Sequence, residues 1–336
     1  MTAKGHEAMI DHLPAVTPST VPAILPEGDL TARAAQAAQD AEGAYSPATV
    51  ATYRFGIQRF VKWCDETGTP YALPIAPRVL SSFVDDMRGK LSPASVSNYL
   101  SAIARMHCDL NFPSPTGAAV VTLALKRFRR EWAATPQKAR RGRGQAQAMQ
   151  RGAIDNALQE MGDSLPDLRD AALIALAYDT LCRASELVAF DVADLERDES
   201  DGSGVILIRR SKTDQEGAGL HRYVSPDTMA RLSAWISAAR LDQDSPLFVP
   251  MSRKGQGERL SPRDVSRIYK ARVGEAFSAH STRVGGAVDQ LGAGIASGQI
   301  AQSGGWKGEA MVARYTKRLA VKKSGAAILA QMQGRA

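Results

Sequence analysis

The sequence predicts a mainly α-helical protein of two domains, the second and larger of which carries one small antiparallel β-sheet. Three observations predict it. Ser-Pro pairs at 46–47, 92–93 and 261–262 each open a helix, the serine as cap and the proline at the first helical position, and apolar residues follow the first two at helical spacing. A single β-branched run, Val205, Ile206, Leu207 and Ile208, has a return strand available at 221–224. Finally, 336 residues with 44% hydrophobic and 23% charged content suit two globular domains.

Residues 1–29 hold Pro14, Pro18, Pro22 and Pro26 without an apolar period, which predicts a flexible tail through residue 44. Within it the alanine-rich stretch 30–42 offers a short helix whose weak apolar face needs a partner. From 45 to 132 a bundle of helices is expected. Val50, Tyr53, Ile57, Phe60, Val61 and Cys64 form the first apolar stripe; Val79, Leu80, Phe83, Val84 and Met87 form another. Tyr99 and Ile103 stand after Ser92 at the offsets that Tyr53 and Ile57 occupy after Ser46. The stretch 126–143 holds eight basic residues and one acid, Glu131, and Gly142 and Gly144 stop any helix there. Residues 133–148 are therefore read as a basic interdomain linker, although a run of this kind is more often a solvated face. The second domain occupies 149–336. It opens with helices, one of them placing Leu168, Leu173, Leu176 and Ala177 on one side. A turn at 180–183 and a short helix through Glu186 come next, and then the hairpin with Lys212 in or beside its turn. Helices alone are expected after Pro262.

Charge points to a polyanionic partner. The first 44 residues carry −4 against +7 for the whole chain, leaving +11 for the folded part, the footprint of a nucleic-acid binder. Arginine outnumbers lysine 30 to 12, which suits bidentate phosphate contacts and equally marks a GC-rich genome. Cys64, Cys108 and Cys182 are odd in number and widely spaced, so free thiols are expected rather than disulfides or a zinc site. No run of about 18 apolar residues and no basic-then-apolar leader is present, and the chain is expected to stay in the cytosol, away from membranes.

The chemistry lies in an ordered set: Arg183, Lys212, His280, Arg283, Trp306 and Tyr315. Taken singly each is weak. Arg183 and Glu186 have the spacing of a surface ion pair, Lys212 that of a turn lysine, and Trp306 and Tyr315 that of packing residues. Together they make a kit for attacking a phosphodiester with a tyrosine hydroxyl, since arginine's planar fork neutralises non-bridging oxygens. Residues 279–315 contain His-x-x-Arg, then Gly-Gly-Trp, then a tyrosine nine residues beyond the tryptophan. This order and spacing resemble the tyrosine recombinases of the phage integrase family, and most of all its Cre-like branch, over residues 45–332.

The resemblance implies a helical core-binding domain followed by a catalytic domain with a C-terminal exchange helix. It implies that Tyr315 forms a 3′-phosphotyrosine, that Arg183 and Arg283 clamp the scissile phosphate, and that Glu186 orients an arginine. Lys212 would protonate the departing 5′ oxygen, His280 would orient or deprotonate Tyr315, and the Trp306 N–H would donate to the phosphate. Arg140, Arg141 and Arg143 of the linker are the implied backbone contacts, and Arg209 and Arg210 are expected to be phosphate contacts or solvated neighbours. No metal and no cofactor are implied. The implied partners are double-stranded DNA bearing an inverted-repeat site and three further copies of the chain, a homotetramer on two sites passing through a Holliday junction. Leu181 and Ala279 stand where many relatives have glycine. A type IB topoisomerase, a hairpin telomere resolvase and a catalytically silent DNA-binding regulator are the alternatives.

Overall fold

The structure is a computed structural model that describes residues 43–136, 145–209, 219–252, 255–256, 258–322 and 324–335. The chain divides into two units, Met1–Gly142 and Arg143–Ala336.

The first unit is built from four helices: α1 (Pro47–Thr67), α2 (Pro77–Asp86), α3 (Pro93–Asp109) and α4 (Ala119–Ala134). The predicted starts are realised by the predicted groups. Ser46 and Ser92 accept hydrogen bonds from the N–H groups of Thr49 and Ser95, and a proline follows each cap. Gly68, with φ 65°, ends α1 in the left-handed conformation that costs glycine least. The core gathers Phe60, Trp63, Leu80, Phe83, Val84, Val96, Ile103, Val121 and Phe128. Trp63 and Phe83 meet edge to face with centroids 5.4 Å apart, and the Trp63 indole donates to Asp86. Buried His107 accepts the Ile75 N–H at its Nε2 and so donates from Nδ1 to the Ile103 carbonyl; burial holds its pKa below the ordinary value. The basic run begins inside a helix. Lys126, Arg127, Arg129 and Arg130 lie on α4 around buried Phe128, so the linker reading holds at most for the residues after α4. The remaining four basic residues of the run, and the tail through residue 42, lie outside the described residues.

The second unit is assembled on α6 (Leu165–Thr180), packed by α5 (Arg151–Gln159) and α8 (Pro226–Ala239). One apolar side was expected for α6, but Ala171, Ala172, Leu173, Ile174, Ala175, Leu176 and Ala177 are all buried. A helix apolar all round is a core helix, with neighbours on every side. Its charged start is also buried, Arg169 and Asp170 pairing with each other and Asp170 with Arg272. After α7 (Ala184–Leu187) come β1 (Leu195–Arg197), β2 (Gly204–Ile208) and β3 (Leu220–Val224), an antiparallel sheet in the order β1-β2-β3. The hairpin is as expected and β1 is an addition. A two-residue ribbon, β4 (Met251–Ser252) with β5 (Gly255–Gln256), comes before the helices resume. These are α9 (Pro262–Arg272), α10 (Ser281–Gly292), α11 (Ser297–Gly304), α12 (Glu309–Lys322) and α13 (Gly325–Met332). No helix among the described residues is long and apolar enough to cross a membrane.

Candidate active site

Arg183 is the cap residue of α7 and follows two residues that turn the chain out of α6. Leu181 takes φ 50° and ψ 28°, a left-handed conformation that costs a leucine roughly 1–2 kcal/mol. Burying the leucine side chain completely, against Gly286 of α10, offsets that cost. Leu181 thus makes the turn in a conformation that glycine adopts at least cost. Glu186, in the first turn of α7, receives both the Arg183 N–H at 2.8 Å and its guanidinium at 2.5 Å. Only 5% of the Glu186 side chain is exposed, so this is an oriented, largely dry pair rather than a solvated one.

His280 and Arg283 flank the start of α10. His280 is its cap residue, and its Nε2 lies 2.9 Å from the Tyr315 hydroxyl on α12. Burial, then the charges of Arg283, Arg183 and Arg314, hold the His280 pKa below 6.5, so the ring is neutral at pH 7 and Nε2 is able to accept a proton. Arg283 is buried, with 2% of its surface exposed. Its guanidinium donates to the carbonyls of Leu181 and Gly304 and lies 4.8 Å from the centre of the Trp306 ring. Burial, and next the charge of Arg183, push its pKa down. Trp306 in turn packs on Tyr315 with centroids 5.1 Å apart.

The Gly-Gly of Gly-Gly-Trp has a steric reason at each position. A Cβ on Gly304 would lie 2.6 Å from the Trp306 ring, while Gly305 has φ 58° and its Cβ would lie 2.2 Å from Nη2 of Arg222. Beneath the site the Cys182 thiol is pushed up to about 12 by burial and stays protonated.

Six of the expected residues therefore converge: Arg183, Glu186, His280, Arg283, Trp306 and Tyr315. Lys212 and Arg210 lie outside the described residues, as do Arg140, Arg141 and Arg143. Arg209 pairs with Asp191 at 2.5 Å and with Asp194 at 2.9 Å. Two contributors were missed. Gln145 donates to the Tyr315 carbonyl at 3.0 Å, tying the chain before α5 to the tyrosine helix, and nothing in the local sequence announces it. Arg222 did carry a signal, since strand alternation puts Leu220, Arg222 and Val224 on one face and leaves a charge in the apolar phase. The arrangement supplies a hydroxyl nucleophile with an adjacent neutral base, beside clustered guanidiniums that suit an anionic substrate.

Comparison with known proteins matches residues 148–321 to the phage integrase family and residues 40–108 to the phage integrase N-terminal SAM-like domain. The recombinase Cre of Escherichia phage P1 is 27% identical over 280 residues, 76% of this chain and 80% of its own. An integrase/recombinase XerD homologue of Selenomonas ruminantium is 27% identical over 83% of this chain and 84% of its own. Among solved structures, the XerH site-specific recombinase in a post-cleavage complex with a difH substrate has a TM-score of 0.57 at 18% identity, over 82% of this chain and 79% of its own. A lambda integrase dimer on a core site has a TM-score of 0.55 at 16% identity, over 85% and 76%. At such identities the structures show a shared fold.

Proposed function

The chain belongs to the phage integrase family, and on that premise we propose that it is a site-specific DNA recombinase that cleaves and rejoins strands through a 3′-phosphotyrosine. The observation that carries this reading is the 2.9 Å contact between His280 Nε2 and the Tyr315 hydroxyl, beside two buried or half-buried arginines. Tyr315 Oη attacks the phosphorus while its proton passes to neutral His280. The bond from phosphorus to the 5′ oxygen breaks, and Lys212 protonates that oxygen. Arg183, oriented by Glu186, and Arg283 neutralise the charge that builds on the non-bridging oxygens, and the Trp306 N–H donates to one of them. Attack of a 5′ hydroxyl on the phosphotyrosine reverses the step, so the ester energy is retained and no nucleotide is consumed. Two successive exchanges pass through a Holliday junction.

The partner is double-stranded DNA with inverted arms, gripped by residues 45–132 and 149–336 and by Arg140, Arg141 and Arg143 between them, in the cytoplasm where that DNA lies. Helix α13 supports a tetramer. It buries none of its residues, and Ile328, Leu329 and Met332 are 52%, 49% and 80% exposed, an apolar face that would dock on a neighbouring copy.

Incubating the protein with sheared DNA of its source genome, trapping adducts with detergent and sequencing the attached ends tests the reading. Two inverted arms around a short spacer are expected, with no adduct from Tyr315→Phe at nearly unchanged affinity. Adducts at arbitrary sequences, or relaxation of any supercoiled plasmid, would replace it with a topoisomerase.

A further inference from the structure

Arg222 stands on the inward face of the sheet. In the β2–β3 register it pairs with Ile206, and Ile206, Ile208 and Val224 on that face are buried, whereas His221 and Tyr223 on the other face are exposed. Arg222 in that phase is partly buried, and its guanidinium reaches the end of α11. Nη1 donates to the Gln302 carbonyl at 3.2 Å, and Nη2 fills the space that a Cβ on Gly305 would take, one residue before Trp306. Among the described residues no carboxylate lies within ion-pairing distance of it. Glu186, whose charge acts on it, is already bonded to Arg183.

Capping α11, with a second bond from Nη1 to the His221 carbonyl at 3.4 Å, accounts for at most two of the five N–H groups that a guanidinium offers. It does not account for the charge. Arg183 repels Arg222, and burial lowers its pKa, so a neutral cap would serve the helix at less cost. Three guanidiniums, Arg183, Arg222 and Arg283, thus share one carboxylate. Excess positive charge held in a half-buried site is a cost that only a bound anion offsets.

We propose that Arg222 is a third phosphate-binding arginine of the active site, held by α11 and Gly305 so that its free N–H groups face the substrate phosphate beside Trp306. This rests on the recombinase reading. Arg222 contributes charge to the same phosphoryl oxygens that Arg183 and Arg283 neutralise, and no bond is made or broken at it.

The test uses the full chain and a duplex carrying the site recovered by adduct capture, in two forms: one with the native scissile phosphate, one with a methylphosphonate there, which is uncharged. Arg222→Gln should cleave the native duplex about a hundred-fold more slowly in single turnover, the scale of losing one preorganised donor, with Kd changed by less than about threefold. On the methylphosphonate, which carries no charge to neutralise, the variant should match the parent protein; that arm also reports that the variant folds. Arg222→Lys, which keeps the charge, should recover part of the native rate. Equal rates for Arg222→Gln and the parent on the native duplex overturn the proposal while leaving the recombinase reading intact. An equal defect on both duplexes overturns it too, showing a purely structural cap. Failure of the parent protein to form any adduct defeats the recombinase reading instead.

Discussion

At the residue scale, the pairing of His280 with Tyr315 sets a pH dependence. Burial and the charges of Arg283, Arg183 and Arg314 lower the His280 pKa, so its neutral, proton-accepting form persists below the 6.5 at which an ordinary histidine is half charged. Single-turnover adduct formation should therefore keep more than half of its plateau rate at pH 6.5 and reach its half-point only at lower pH. A fall already complete at 6.5 would mean that His280 does not accept the proton in its observed surroundings. Arg283 is specified differently. Its two carbonyl partners, at Leu181 and Gly304, come from the end of α6 and the end of α11, so its aim depends on where two helices stop. Conservative Arg283→Lys cannot span both, and it should lower the cleavage rate by roughly 10²-fold or more while leaving Kd within a few-fold.

At the element scale, α10 carries both His280 and Arg283, and its seating is fixed by a glycine. A Cβ on Gly285 would lie 1.8 Å from the Met149 carbonyl oxygen, and the Met149 N–H in turn donates to the Ser281 carbonyl at 3.0 Å. Backbone against backbone has no flexible end to give way. Gly285→Ala should destabilise the second unit by about 3 kcal/mol, at the upper range for overpacking, and a Tm within a degree of the parent would show that the crossing is looser than drawn. The β2–β3 hairpin permits a second test at this scale. If Lys212, outside the described residues, is the general acid, Lys212→Ala should cleave normal DNA about 10²- to 10⁴-fold more slowly. It should recover on a substrate whose leaving 5′ oxygen is replaced by sulfur, which needs no protonation. Equal defects on both substrates would remove the role.

At the scale of the whole molecule, the exposed apolar face of α13 bears on assembly. A helix of eight residues does not hold itself in water, and Val321 in the last turn of α12 is 67% exposed as well. Deleting residues 325–336 should leave single-site binding unchanged and abolish tetramers on paired sites, read by sedimentation with site DNA. Tetramers formed by the truncated chain would show that α13 does not link copies. The same removal should leave the Tm of the second unit almost unchanged, because α13 buries none of its own residues.

Much of this was legible along the chain. Ser-Pro starts, apolar stripes and the order from Arg183 to Tyr315 are short-range patterns, set by helical period, by caps that act across three residues, and by a nucleophile kit whose members have distinct chemistry. The remainder came from contacts that no local pattern encodes. Strand β1 has three residues and no buried position, so it has no alternation to read. The left-handed turn at Leu181 was not foreseeable from a leucine, because the strain is balanced by Gly286, far off in sequence. The pairing of Arg209 with Asp191 and Asp194 was not legible either, since which anions an arginine meets is decided by distance in space. Arg222 is the intermediate case: alternation marked it as inward, but only its contact with the end of α11 brought it beside Trp306, because the chain reaches that point from two segments 80 residues apart.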